Sequence, residues 1–136
     1  MPDAIILRFA GIYGPGRLIK RAAVEKGEPL ATDPDKIINL IHVEDGARAV
    51  VAAGERGRPG TTYNICDNEP VPRRDFYKEL ARLLAAPAPR FEPRSSERIN
   101  RRISNRRLRT ELGFELKYPD FRGGLRQAIG GGTSPS

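Results

Sequence analysis

Residues 4–10, AIILRFA, are apolar except at Arg8 and run directly into GIYGPG, with glycines at 11, 14 and 16 and a proline at 15. No other feature restricts the fold of this chain as strongly. A strand that is apolar on both faces must be covered on both, which is the setting of a parallel sheet under helices. Glycines that end a strand this abruptly mark a place where backbone passes close to something else.

The downstream pattern agrees with that setting. Gly11–Gly16 reads as loop, and Arg17–Lys26 has helical spacing with Leu18, Ala22 and Ala23 inward and Gly27 as its stop. Pro29–Asp35 is a turn-rich connection. Lys36–Val43, KIINLIHV, is a second strand-like run. Glu44–Glu55 opens on two acids and continues rich in alanine, as a helix N-terminus favours. Thr61–Cys66, TTYNIC, is a third strand with β-branched and aromatic residues. Pro72 suits a first helical turn, and residues 73–85 place Phe76, Leu80, Leu83 and Leu84 on one face of a helix. Pro87, Pro89 and Pro93 enforce an extended crossing. Ser104 is a natural N-cap for Asn105–Leu112, which Gly113 ends. Phe114–Tyr118 is short and extended, and Pro119 and Asp120 open a last helix to about Ile129. Strands alternating with helices give an α/β fold. The expectation is one domain over residues 1–129 and a flexible tail, GGGTSPS, over 130–136.

Charge matters in one place. The net charge is +7, but residues 90–109 hold eight arginines against two glutamates, leaving only about +1 for the rest. That segment has three readings: a solvated surface partly paired with Glu92, Glu97 and Glu111; an anion-binding wall using Arg101, Arg102 or Arg106; or a nucleic-acid contact. Single-strand binders interleave stacking aromatics with their charge, and only Phe91 is available here, so nucleic acid is disfavoured. No apolar run reaches the roughly 20 residues of a membrane span, and no signal peptide is visible. One cysteine excludes an internal disulfide framework, so a cytoplasmic setting is the default. One Cys and one His do not make a zinc site of the usual kind.

The candidate chemistry is sparse. GIYGPG lies between a strand and a helix, the correct context for holding phosphate. Its order, G-x-x-G-x-G, is not the dinucleotide fingerprint, and no G-K-[ST] follows; the plain alternative is a tight turn stiffened by Pro15. Arg17, just past the glycines, could clamp a phosphate or carboxylate or simply start a solvated helix. His42 lies between Ile41 and Val43, which favours a structural, hydrogen-bonded histidine over a general base. Cys66 ends a strand and reads as a small core residue. Glu44 and Asp45 read as helix N-terminal acids and not as an acid/base pair.

ILRFAGIYGPGR, INLIHVEDGARAV, YNICDN, RRDFYKELARLL and ISNRRLRTELGF occur here in an order that resembles the extended short-chain dehydrogenases of the NAD-dependent epimerase/dehydratase family. The resemblance covers residues 5–129, and the ending, with ISN, LGF and YPDFR, looks like an atypical branch. It implies that Ile5–Ala10 is a late strand of a Rossmann-like parallel sheet carrying a mostly helical substrate-binding region. By that likeness Ala10, Gly11, Ile12 and Tyr13 would lie beside a nicotinamide cofactor, NAD or NADP. Tyr13, Arg17, His42, Arg101 and Arg102 would serve a small-molecule substrate of anionic character.

The departures are as informative. The family's glycine-rich cofactor turn and its Tyr-x-x-x-Lys pair are absent from the 136 residues. The nearest spacing is Tyr13 to Arg17, and arginine cannot act as a lysine of lowered pKa does. An arginine that often precedes the IHV segment in sugar-nucleotide epimerases is replaced by Ile38, which weighs against a nucleoside-diphosphate sugar. The expectation is a substrate-binding half, inactive and weak in cofactor binding by itself, that self-associates or meets a complementary N-terminal half. The alternative is a non-catalytic module that binds an anion or nucleic acid through residues 90–109. Substrate, reaction direction and NAD against NADP are not encoded legibly.

Overall fold

The computed structural model describes residues 3–93 and 101–130. Its elements are β1 (Ile6–Phe9), β2 (Gly11–Tyr13), α1 (Arg21–Lys26), β3 (Ile37–Ile38), β4 (Leu40–His42), α2 (Val43–Arg56), β5 (Thr62–Ile65), β6 (Val71–Pro72), α3 (Arg73–Leu83), α4 (Arg106–Leu112) and α5 (Phe121–Gly130).

Strand pairing is parallel where the apolar pattern predicts it. β1 runs beside β5, with Ile6 opposite Thr62 and Phe9 opposite Ile65. β2 runs beside β4, with Gly11 opposite Leu40 and Tyr13 opposite His42. The short β3 and β6 pair antiparallel. Side chains alternate across β4: Leu40 joins a core with Val24, Phe76, Leu80 and Leu125, while Ile41 joins another with Ala49, Tyr63, Ile65 and Leu108. Helices α1, α3 and α5 therefore close one face, and α2 and α4 the other.

Several boundaries differ from the sequence expectation. Gly11–Tyr13 is strand and not loop; the turn begins only at Gly14. The reason is a change of partner. The Ala10 amide donates to the Ile65 carbonyl at 3.1 Å and the next amide, Gly11, donates to the Asn39 carbonyl at 3.0 Å. The chain thus leaves β5 and takes up β4 within one residue, which two small residues permit. Residues 36–43 split into β3 and β4 for the matching reason, since β3 serves β6. α1 starts at Arg21, not Arg17, and buries Val24 while Ala22 faces solvent. Pro72 sits one residue before α3.

Two helix ends follow the expectation in substance. Ser104 Oγ accepts from the Arg106 amide at 3.2 Å, capping α4 from one position further out. The last helix runs through Gly130; residues 131–136 of the expected tail lie outside the described residues.

Candidate functional site

β1 and β2 are consecutive segments of one chain with different partners, and the sheet opens where they part. Crevices at such a switch point, beyond the carboxyl ends of parallel strands, are where open α/β sheets take ligands. A cleft of about 580 Å³ lies there. Phe9–Tyr13 line one wall, Ile37–Leu40 another, and the start of α3 a third. Ala10 and Gly11 leave main chain nearly uncovered on the first wall, which suits the flat face of a ring.

The charged groups at the cleft are all cationic: Arg17, Lys20 and Arg73 line it, and no described carboxylate does. Arg73 is the first residue of α3, and its guanidinium donates to the hydroxyl of the buried Thr32. Burial raises the Tyr77 phenol above its usual range, and the neighbouring Arg73 charge opposes that. Lys20 stands in the left-handed region with φ of 64° immediately before α1, a conformation disfavoured for any residue with a Cβ.

Behind β2 lies a second polar group of residues, centred on the buried His42 and Asp45. His42 is fully buried. Its Nδ1 accepts the Glu44 amide at 3.1 Å, so Nε2 carries the proton and donates to Gln127 Oε1 at 2.6 Å. The ring stacks on Tyr118 with centroids 4.1 Å apart. The Asp45 carboxylate, also fully buried, accepts the Lys117 and Tyr118 amides at 2.9 and 2.8 Å and pairs with Arg48 at 2.7 Å. It thereby fixes the loop that leads into α5. Among the described residues, two buried atoms here have no partner: the Tyr13 hydroxyl and Asp67 Oδ2. Burial, with Asp120, Glu69 and Asp45 nearby, raises the Asp67 carboxyl to about 7, although the Glu69 amide opposes the rise. Burial foremost, then Asp67, pushes the Tyr13 phenol far above its usual range.

The structure gathers Ala10, Gly11, Ile12, Tyr13 and Arg17 around one cleft, and leaves His42, Arg101 and Arg102 away from it. Both ring nitrogens of His42 have partners inside the chain. The Arg101 carbonyl accepts from Asn39 Nδ2, and the Arg102 guanidinium donates to the Pro70 carbonyl. Arg90, Arg107 and Arg109 likewise donate to Gly27, Thr62 and Asn105. Arg90, Arg102 and Arg107 thus anchor chain crossings; Arg94 and Arg98 lie outside the described residues. Cys66 is buried, and its thiol is pushed up to about 11 by burial and by Asp67, which leaves it protonated at neutral pH.

Sequence reasoning missed Lys20, Thr32 and Arg73, which reach the cleft from three separate segments. It also missed Asn105, whose amide donates to the Cys66 carbonyl and to Asn68 Oδ1 at 2.9 and 2.8 Å and so ties α4 to the end of β5. The ISN motif was the available signal, since a buried asparagine needs this many partners.

Comparison with known proteins agrees with the geometry. Residues 2–66 match the profile of the NAD dependent epimerase/dehydratase family. Protein YeeZ of Escherichia coli K12 is 37% identical over 115 residues, covering 85% of this chain and 41% of that protein. A conserved protein of unknown function from Silicibacter pomeroyi superposes with a TM-score of 0.79 at 36% identity, over 92% of this chain and 48% of that one. The dTDP-glucose 4,6-dehydratase of Bacillus anthracis, solved in complex with NAD, superposes with a TM-score of 0.78 at 23% identity, over 92% and 43%; that likeness speaks to fold. The chain spans about half the length of the relatives it matches. The first half of the chain thus matches the NAD-dependent epimerase/dehydratase family, and its Rossmann-like α/β fold is shared with a solved dehydratase.

Proposed function

We propose that this chain is the substrate-binding half of an NAD(P)-dependent epimerase, dehydratase or reductase, and that the switch-point cleft is where substrate and nicotinamide meet. The observation that carries this reading is the joining of Ala10, Gly11, Ile12, Tyr13 and Arg17 on one cleft at the carboxyl ends of parallel strands. The bare main chain of Ala10 and Gly11 fits a ring lying against it, and these residues with Ile12 would hold the cofactor. When bound, a nicotinamide supplies hydride transfer. The chain's own part is to bind and orient. Tyr13 forms a firm wall, because its ring is buried beside His42 and Phe76. Arg17 attracts an anionic group of the substrate.

No tyrosine in the sequence has a lysine four residues on, so the proton relay of the reaction falls to residues supplied from elsewhere. The chain alone therefore binds NAD(P) weakly and turns nothing over. β1 pairs with β5 alone among the described strands, and Ile6 at its start is 50% exposed. That open edge is where a complementary half, or a second copy, docks.

The experiment is complementation. The purified chain is titrated with NADH, then the region of protein YeeZ outside the match is supplied as a fusion or in trans. Micromolar NADH binding is expected to appear only on complementation and to be lost with Gly11→Val, whose side chain fills the cofactor wall. Tight NADH binding by the chain alone, or complemented binding indifferent to Gly11→Val, refutes the reading. Light scattering of the uncomplemented chain gives the second check, since a monomer throughout the micromolar range contradicts docking of a second copy at β1.

A further inference from the structure

We propose that the substrate taken by this cleft is an amphipathic anion, a small molecule with a carboxylate or phosphate at one end and an apolar body at the other, held by Arg17, Lys20 and Arg73. The proposal rests on reading the cleft as a substrate site and adds the chemical class of the substrate.

Three independent features support it. The first is charge: three cations and no described carboxylate line one cleft of about 580 Å³. Arg17 and Lys20 have no carboxylate partner among the described residues, and like charges gathered at one cleft favour an anion in the space between them. Arginine also offers the forked donor geometry that carboxylates and phosphates match.

The second is apolar exposure. Phe9 and Ile19 line the cleft and remain 42% and 71% exposed. Ile19 stands beside Lys20, and Ile38, Phe76 and Tyr77 continue the apolar lining inward. A plain inorganic anion has no use for such walls, whereas a ligand with an apolar body covers them.

The third is strain. Lys20 holds a left-handed backbone conformation, φ 64°, and its side chain makes no capping bond to α1. Lysine there gives up stability that glycine would keep. Strain of this kind gathers at ligand clamps, and here it places Ile19 and Lys20 together at the cleft.

The test uses the full 136-residue chain, calorimetry without nucleotide, and three probes: 4-phenylbutyrate, phenyl phosphate and uncharged 4-phenylbutanol. Both anions are expected to bind about tenfold or more tighter than the alcohol, the loss of a charge-assisted hydrogen bond being worth that much. Whichever anion binds tighter identifies the head group. Inorganic phosphate is expected to bind more weakly than phenyl phosphate, because it lacks the apolar body. Arg73→Gln is expected to weaken the anions about tenfold. Because Arg73 also holds Thr32, the exposed positions are tested through Arg17→Gln and Lys20→Gln, each expected to weaken anions and leave the alcohol unchanged. Equal affinity for alcohol and anions, no anion binding, or unchanged anion binding in all three variants overturns the proposal. NADH binding on complementation without anion binding overturns this inference and leaves the proposed function standing; anion binding without NADH binding does the reverse.

Discussion

Tyr13 divides two polar regions that use their residues in opposite ways. Behind it, His42, Asp45, Tyr118 and Gln127 are spent on one another and on backbone amides. In front of it, Arg17 and Lys20 face a cleft without carboxylate partners among the described residues. The residue types usually suspected of catalysis, a lone histidine and a pair of acids, all fall in the first region. The second is lined by small residues, arginines and exposed hydrophobics. His42 and Asp45 are buried and bonded inside the chain, which leaves neither free to meet a ligand. A group left facing a cleft is the one available to a ligand.

If that division holds, substitutions behind Tyr13 lower stability, and those in front alter binding. The largest loss is expected from Asp45→Ala. It strips the partners from the Lys117 and Tyr118 amides and from Arg48, at a cost of about 3–5 kcal/mol. Chemical denaturation with far-UV circular dichroism measures it; a loss below about 1 kcal/mol, the scale of a surface ion pair, places Asp45 in the wrong region.

Asp67 sharpens the comparison through pH. Its folded pKa, about 7, lies above the ordinary carboxylate value of 3.8. The folded state therefore holds a proton that the unfolded state releases. The stability tied to that proton is complete below the unfolded pKa and is lost as pH rises from about 4 through 7. Asp67→Asn keeps the shape without the charge. It should be close to neutral at pH 4 and stabilising by about 4 kcal/mol at pH 8. Denaturation curves at the two pH values decide; an equal effect at both means that the carboxyl does not carry the proton.

The order of the main elements and the parallel pairing were legible, because each rests on a local pattern: apolar runs, glycine breaks, helical spacing. The meeting of residues 10–13 with Arg17 at one cleft was implied only by the family resemblance. The exchange of partners at Ala10 and Gly11 was not, since a three-residue strand and a loop look alike until Asn39 supplies the carbonyl. Nor was the role of Asp45. It does begin a helix, as two acids in a row suggest, but its main bonds reach residues 117 and 118, and no spacing rule spans that distance. Arg73 lies at the start of the amphipathic helix pattern and carries no sequence signal of its own. Only the packing of α3 against α1 and the Thr32 segment turns its first residue toward the cleft.

Gly124 tests the contact between the two regions. A Cβ there would overlap the Tyr13 hydroxyl. Gly124→Ala must therefore move α5 or the tyrosine, with a loss of about 2 kcal/mol. Thermal unfolding reads that directly. If the alanine variant is as stable as the parent, the ring has slack and Tyr13 is not the firm wall that the cleft requires.

The smallest effect separates the regions most cleanly. At Lys20 the left-handed backbone costs an ordinary residue about 1–2 kcal/mol, and glycine returns about half of that through its own unfolded-state freedom. Lys20→Gly is thus expected to stabilise the chain by about 0.5 kcal/mol while removing one of three cations from the cleft. Stability and anion binding should move in opposite directions in one variant, which no substitution behind Tyr13 is expected to do. Urea denaturation gives the first sign and calorimetry with phenyl phosphate the second. A variant that loses stability, or gains it without losing affinity, shows that Lys20 holds its strained backbone for a reason unrelated to the cleft.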